Sequence, residues 1–406
     1  MMKKITALLL ALAMVFALCA CGNGDKDKDK DNDGDKAKIK VGFIFLHDEN
    51  STYDLNFMNA AEAACKNLGV EYVFKKNIPE DQKCYDAAAE LAEEGCNIIF
   101  ADSFGHESYI IEAAKEFPDV QFCHSTGTLA HTEKLSNYHN AFASIYEGRY
   151  LAGIAAGLKL NEMIANGDFT ADEAKMGYVG AFTYAEVISG YTSFFLGARS
   201  VCPSVTMDVT FTGSWYNETA EKEAANTLIK NGCKLISQHA DSMGAPTACE
   251  TAGVPNVSYN GSTVSACPNT FIVSSRIDWT PYYEYAIKAV MNGETIDTDW
   301  TGTLKTGSVV LTDVNEKAAA AGTAEAIADA KAKLEDGSLK VFDITTFTVG
   351  GKQLDSYMAD VDTDKDYTPD TEAVKDGAFL ESTYRSAPYF DVQIDGINLL
   401  DTNFGG

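Results

Sequence analysis

Positive charge is scarce in this chain: 32 Lys and Arg residues stand against 59 Asp and Glu, for a net charge of −27. Phosphate backbones are held by clustered Lys and Arg, so nucleic acid is a poor partner for this surface. Long apolar runs are also rare. Beyond one N-terminal stretch, no segment approaches the roughly 20 residues of a membrane span. Of the later cysteines, Cys65, Cys84, Cys96, Cys123, Cys202, Cys233, Cys249 and Cys267, none forms a C-x-x-C pair. Most fall in helix or strand patterns, where cysteine packs as a small apolar residue. One or two disulfides are compatible with that distribution, and a disulfide framework is not expected.

Catalytic signatures are missing as well. There is no G-x-S-x-G elbow, no G-x-x-x-x-G-K-S/T phosphate loop, no G-x-G-x-x-G fingerprint and no H-E-x-x-H zinc helix. His47, His106, His124, His131, His139 and His239 are too scattered to suggest a metal site. Cys123 and His124 are adjacent on a strand and point to opposite faces, so they cannot act as nucleophile and base. No catalytic residue, metal or cofactor is assigned, and the chain is expected not to be an enzyme.

The N-terminus carries Lys3 and Lys4, then an apolar run from Ile5 to Ala20 that is short for a span. That is the layout of a signal peptide over 1–20. It ends Leu18-Cys19-Ala20-Cys21-Gly22, a lipoprotein cleavage pattern that makes Cys21 the expected lipidated residue and the cell membrane the expected location. Residues 21–38 contain almost nothing that can be buried, so a disordered spacer is expected. Asp29, Asp31 and Asp33 resemble the start of a calcium loop, but Lys40 occupies the position of the required glutamate.

From Ile39 short apolar runs alternate with helical segments: KIKVGFIF, a helix over 52–68, VEYVF, a helix over 82–94, NIIFAD, a helix over 107–116, and VQFCHS. A second series follows, with helices over 145–160, 186–201 and 218–230 between the strands KMGYVGAF, TMDVTFT, KLISQHA and NVSYN. FIVSSRIDW precedes helices over 281–291 and 316–334. This βαβ repetition predicts an α/β protein with parallel sheets covered by helices. Two such units predict two lobes, with ligand at the carboxyl ends of the strands. The expected boundaries are 39–135 plus about 276–298 for lobe I and 136–275 plus about 299–350 for lobe II, with 351–406 a less regular C-terminal extension.

Several segments together resemble the basic membrane protein family of purine-nucleoside-receptor-like solute-binding lipoproteins, which feed ABC importers. They are DSFGHESYIIEAAKEFPDVQFCHSTG at 102–127, IYEGRYLAGIAAG at 145–157, FTYAEVISGYTSFFLGARSV at 182–201, SQHADS at 237–242 and DWTPYY at 278–283. The resemblance implies a type I periplasmic-binding-protein fold, with two Rossmann-like lobes joined by a hinge of three strands and closing on one small molecule. It also implies a purine base or nucleoside as ligand, ABC permease subunits as partners and a monomeric receptor. Tyr259-Asn260 and the stretch SSRIDW depart from the ribose-holding branch and bring the chain closer to an aromatic-rich one.

A purine offers two flat faces and a polar edge, so its receptor needs aromatic plates and a few buried amides or carboxylates. His47, Asp48 and Tyr53 follow the first strand. Ser103 and Phe104 follow the third, at the family position that borders the ligand. Phe182 and Glu186 open the corresponding turn of the second lobe, and Trp215 and Tyr216 follow TMDVTFT. His239, Asp241 and Asn260 end two neighbouring strands, and Asp278 and Trp279 stand at a return crossing. Glu147 and Arg149 are read as a structural ion pair outside the site. Two alternatives remain at this level: a receptor for a sugar or other small polar metabolite, and an extracellular nucleoside hydrolase. A sensory receptor handing its closed lobes to a signalling partner is a further possibility.

Overall fold

The structure, a computed structural model, describes residues 39–401. The signal peptide over 1–20, the lipidated Cys21 and the spacer over 21–38 lie outside the described residues. No described helix is long and apolar enough to cross a membrane.

The first series runs β1 (Lys40–Ile44), α1 (Thr52–Leu68), β2 (Glu71–Lys75), α2 (Gln82–Glu93), β3 (Ile98–Ala101), α3 (Glu107–Glu116), β4 (Gln121–Ser125), the short α4 (Ala130–Glu133) and β5 (Tyr138–Ala143). The second runs α5 (Ile145–Asn166), β6 (Lys175–Gly180), α6 (Ala185–Val201), β7 (Thr206–Phe211), α7 (Glu218–Lys230), β8 (Leu235–Gln238), α8 (Gly244–Ala252), β9 (Asn256–Tyr259) and β10 (Phe271–Ile277). After them come α9 (Thr280–Asn292), β11 (Asp299–Gly302), β12 (Val309–Leu311) and α10 (Thr323–Asp336). Four two-residue strands, β13 (Met358–Ala359), β14 (Thr371–Glu372), β15 (Val374–Lys375) and β16 (Ala378–Phe379), precede β17 (Ile397–Leu399).

Sheet I has the order β11-β5-β4-β3-β1-β2 and is parallel throughout. Sheet II has the order β12-β10-β9-β8-β6-β7-β17 and is parallel except for the β10–β12 pair. Both faces of each sheet are covered, which explains why inner strands such as β3 and β8 are buried along their whole length. In lobe I, Phe43 and Phe100 pack on Tyr283 of α9, while Leu91 of α2 and Ile110 of α3 fill the other face. Helix ends follow local chemistry: Ser51 caps α1 by accepting from Asp54 N at 3.2 Å, and Gly69 ends it at φ 67.

The chain passes between lobes three times, from β5 to α5, from β10 to α9 and from β11 to β12. These crossings move the expected boundaries. The strand at 138–143, assigned to lobe II from sequence, pairs with β4 in sheet I, as does β11 through β5. The β10 strand stays in sheet II as far as Ile277. The extension after 350 is partly sheet, because β17 pairs with β7. The helix expected from 316 starts at Thr323, since Gly322 at φ 78 breaks the run. All eight cysteines from Cys65 to Cys267 are buried and free.

Candidate functional site

The carboxyl ends of the two sheets meet around a narrow cavity, lined by Leu46, His47, Tyr53, Ser103, Phe104 and Thr126 of lobe I and by Glu186, Trp215, His239, Asp241 and Tyr259 of lobe II. Direct bonds join the two walls. Thr52, the first residue of α1, donates both its backbone N–H and its hydroxyl to the Asp241 carbonyl, each at 3.0 Å. The Phe104 and Tyr184 rings meet at 5.1 Å, and His47 and Tyr216 at 5.5 Å.

In lobe I, most polar side chains at the wall are already committed. The loop after β1 is folded over buried Asp54, which accepts from His47 N at 2.8 Å and faces His47 Nδ1 at 3.2 Å. Burial raises the Asp54 carboxyl, but its His47 and Ser51 hydrogen bonds outweigh that and hold it below the ordinary value. The Tyr53 hydroxyl donates to the Asp102 carbonyl at 2.6 Å, so its ring is pinned as a plate against Phe57. Ser103 Oγ donates to Glu80 at 2.5 Å. Asp102, behind this wall, is pushed well up by burial and by Asp54.

Thr126 is different. It has φ 75, and it is 4% exposed with a hydroxyl that has no hydrogen-bond partner among the described residues. A β-branched residue in the left-handed region is an outlier, held at a cost of about 1–3 kcal/mol.

In lobe II, the rings form a layer. Trp215 lies edge-on to Phe182 at 5.1 Å, and Phe182 stacks on Tyr184 at 5.2 Å. His239 is oriented from behind by Arg149, whose Nη2 lies 3.0 Å from His239 Nδ1 and 3.0 Å from the Gln238 carbonyl. A guanidinium can only donate, so Nδ1 is the accepting nitrogen and Nε2 carries the proton. That Nε2–H points at Glu186 Oε1, 3.3 Å away. Burial, reinforced by Arg149, pushes the His239 pKa down against the opposing pull of Glu186, which keeps the ring neutral. The Arg149 guanidinium itself lies 3.5 Å over the Tyr259 ring. Asp241 is pushed well up by burial and by nearby carboxylates, and Asn260 Nδ2 donates to its Oδ1 at 3.3 Å.

Eight of the residues expected from sequence therefore line one cavity: His47, Tyr53, Ser103, Phe104, Glu186, Trp215, His239 and Asp241. Phe182 packs on Trp215, Asn260 bonds Asp241 while lining a groove beside α1, and Tyr216 stands against His47. Three lie elsewhere. Asp48 turns to the N–H and side chain of Asn50, at 3.0 and 2.8 Å. Asp278 accepts from Thr280 N at 3.0 Å at the start of α9 and pairs with Arg276 at 3.5 Å, in the groove beside α1. Trp279 is 1% exposed and stacked on Phe57 at 4.5 Å, so it belongs to the core. The Glu147–Arg149 pair is not formed either, because residues two apart on a helix face different ways. Sequence reasoning missed Leu46, Thr126 and Tyr259. The rule that selected the other strand ends also covers Thr126, which follows β4.

The family model for ABC transporter substrate-binding proteins of the PnrA-like type matches residues 45–341. A purine-binding protein of Brucella abortus is 33% identical over 258 residues, 62% of this chain and 69% of that protein. A putative ABC transporter glucose-binding protein of Haloferax volcanii is 32% identical over 223 residues, 55% of this chain and 53% of that one. Among solved structures, solute-binding proteins of ABC transporter systems from Aeropyrum pernix and Conexibacter woesei share the fold. The first has TM-score 0.63 and 18% identity, covering 75% of this chain and 93% of that one. The second has TM-score 0.61 and 20% identity, covering 74% and 98%. Two doubly wound lobes meeting around one cavity at their strand ends are the architecture of a binding protein, and this chain belongs to the PnrA-like family of ABC transporter substrate-binding proteins.

Proposed function

We propose that the protein captures a purine base or nucleoside between its lobes and delivers it to the permease of an ABC importer, as a monomer tethered through lipidated Cys21 to the outer face of the cell membrane. One observation carries the ligand reading: the cavity combines the rings of Tyr53, Phe104, Trp215 and Tyr259 with few polar side chains, chiefly the carboxylates of Glu186 and Asp241 and the residue Thr126, whose hydroxyl has no protein partner among the described residues. Flat plates with a sparse polar edge suit a heteroaromatic ring. A sugar would need most of its hydroxyls paired, and Tyr53 and Ser103 are already bonded to their own lobe. The purine-binding name of the Brucella relative points the same way.

Closure is recognition without chemistry: a ligand touching both walls favours the state in which the walls meet. Binding at a hundredfold excess over Kd adds about 2.7 kcal/mol of stability, enough to read as a thermal shift. The test is a melting panel of adenine, guanine, hypoxanthine, their nucleosides, glucose and ribose. Purines should raise the melting temperature; a rise with a sugar and with no purine would sink the reading. Metabolic labelling with palmitate should mark the wild type and not Cys21→Ala.

A further inference from the structure

We infer that Thr126 is the hydrogen-bonding anchor by which lobe I holds the ligand, working opposite Glu186 and Asp241 of lobe II. Three facts about Thr126 meet at one place. Its backbone has φ 75, the residue lines the interlobe cavity while only 4% exposed, and its buried hydroxyl has no protein partner among the described residues. Glycine adopts that backbone without strain, and threonine does not. A β-branched residue there therefore needs a reason, and the surrounding protein supplies none for the hydroxyl.

What holds the strained turn in place is its neighbourhood. Thr126 N–H donates to the Ala141 carbonyl at 3.0 Å. Two and three residues further on, the Thr128 and Leu129 N–H groups donate to buried Glu107 Oε1 at 2.8 and 2.9 Å. Gly127, between Thr126 and Thr128, is packed so closely that an added Cβ would lie 2.2 Å from Asn140 Nδ2 and 2.4 Å from His124 Nδ1. The scaffold thus holds Thr126 in its left-handed turn and leaves its hydroxyl unpaired. Other side-chain groups of lobe I at the cavity point back into their own lobe, Tyr53 to Asp102 and Ser103 to Glu80.

A hydroxyl both donates and accepts, so Thr126 can pair with a ring nitrogen, a ring N–H or a carbonyl. Glu186, already accepting from His239, accepts from the ligand. The ligand class that bridges both walls is a planar heterocycle with an N–H facing lobe II and a second polar atom facing lobe I. The purine identity rests on the function proposed above; the role of Thr126 does not.

Three variants separate anchoring from structure, each titrated calorimetrically with whichever panel compound stabilises the wild type most. Thr126→Val keeps the branching and loses the hydroxyl, and should weaken binding about tenfold or more with an unchanged melting temperature for the ligand-free protein. Thr126→Ser should bind within about threefold of wild type, since it keeps both donor and acceptor. Thr126→Gly should melt higher than wild type when ligand-free and yet bind more weakly, a trade that a purely structural threonine does not produce. Wild-type affinity in Thr126→Val, or a lower melting temperature in ligand-free Thr126→Gly, would overturn the assignment. If the panel selects a sugar, the purine reading fails, and the same variants titrated with that sugar still decide the role of Thr126.

Discussion

Glu186→Gln keeps the shape of a side chain at the cavity wall and removes its charge, which makes its consequences calculable. Arg149 fixes His239 with Nδ1 accepting, so Nε2–H faces Glu186 Oε1 at 3.3 Å. A glutamine still offers one carbonyl oxygen to that N–H, and His239 keeps its orientation. The second oxygen position becomes an NH2 directed at the ligand. A purine N–H that met a carboxylate loses a hydrogen bond to a charged acceptor, about 1.5–3 kcal/mol. At 1.4 kcal/mol per tenfold, Kd rises about 10- to 150-fold. Isothermal titration of both proteins with adenine and with guanine measures this, and the melting temperature of each ligand-free protein controls for folding. A Kd within threefold of wild type, with folding intact, would refute the argument that Glu186 reads a donor on the ligand.

The helix crossing in lobe II gives a prediction whose sign is diagnostic. Gly153 of α5 has no room for a Cβ, which would lie 2.1 Å from the Phe194 carbonyl oxygen of α6. Gly153→Ala should therefore destabilise by about 1–3 kcal/mol, although helix propensity alone favours alanine by about 1 kcal/mol; a higher melting temperature would contradict the close crossing. Glu381 makes stability depend on pH. It is 1% exposed and burial pushes its carboxyl from 4.5 up to about 7, against the hydrogen bonds donated by Ser189 and Ser382. The folded state therefore binds this proton more tightly than the unfolded one. Its contribution is fully present below about pH 4.5 and is lost as pH rises through about 7, close to 3 kcal/mol in all. Glu381→Gln should gain stability over wild type in denaturant titrations at pH 8 and little at pH 4, and an equal difference at both would count against it.

Periodicity made the helices legible: those at 52–68, 107–116 and 218–230 occupy the residues their patterns indicate. The strand at 138–143 was invisible because it buries polar residues. His139 is bonded to Gln121 and to the Asp297 carbonyl, and Asn140 joins the Glu107 cluster, pairings that come from distant parts of the chain. The cavity wall was readable to the extent that strand ends are readable, which is why His47, Ser103, His239 and Asp241 of the expected set lie on it. Trp279 misled for a physical reason: a ring that stacks on Phe57 and a ring that stacks on a ligand present the same letter. Arg149 misled in the opposite direction, since its partners are an imidazole and a tyrosine face brought in from lobe II strands rather than the nearby Glu147.

The segment after the family match ends has consequences for how the lobes can move. The matched region stops at 341, yet residues 342–401 are bonded to both lobes. On lobe II the attachment is extensive: β17 extends the sheet beside β7, Glu381 accepts from Ser189 at 2.5 Å, Tyr191 donates to Gln393 at 2.9 Å, and Arg199 donates to the Thr346 carbonyl at 2.7 Å. On lobe I it is slighter. Ser386 N–H donates to Asp299 at 2.7 Å, and the Thr132 hydroxyl donates to the Asp362 carbonyl. Residues 375–383 also share a cavity wall with Ser144, Thr301 and Thr303, beside two of the three crossings. A rotation of one lobe against the other must either leave these bonds intact by pivoting close to them or break the weaker, lobe I set. Breaking that set costs about 1 kcal/mol per hydrogen bond. That is comparable to the coupling energies of 1–3 kcal/mol typical of ligand-driven conformational equilibria. The segment therefore belongs in any account of the closing equilibrium, together with the residues that line the interlobe cavity.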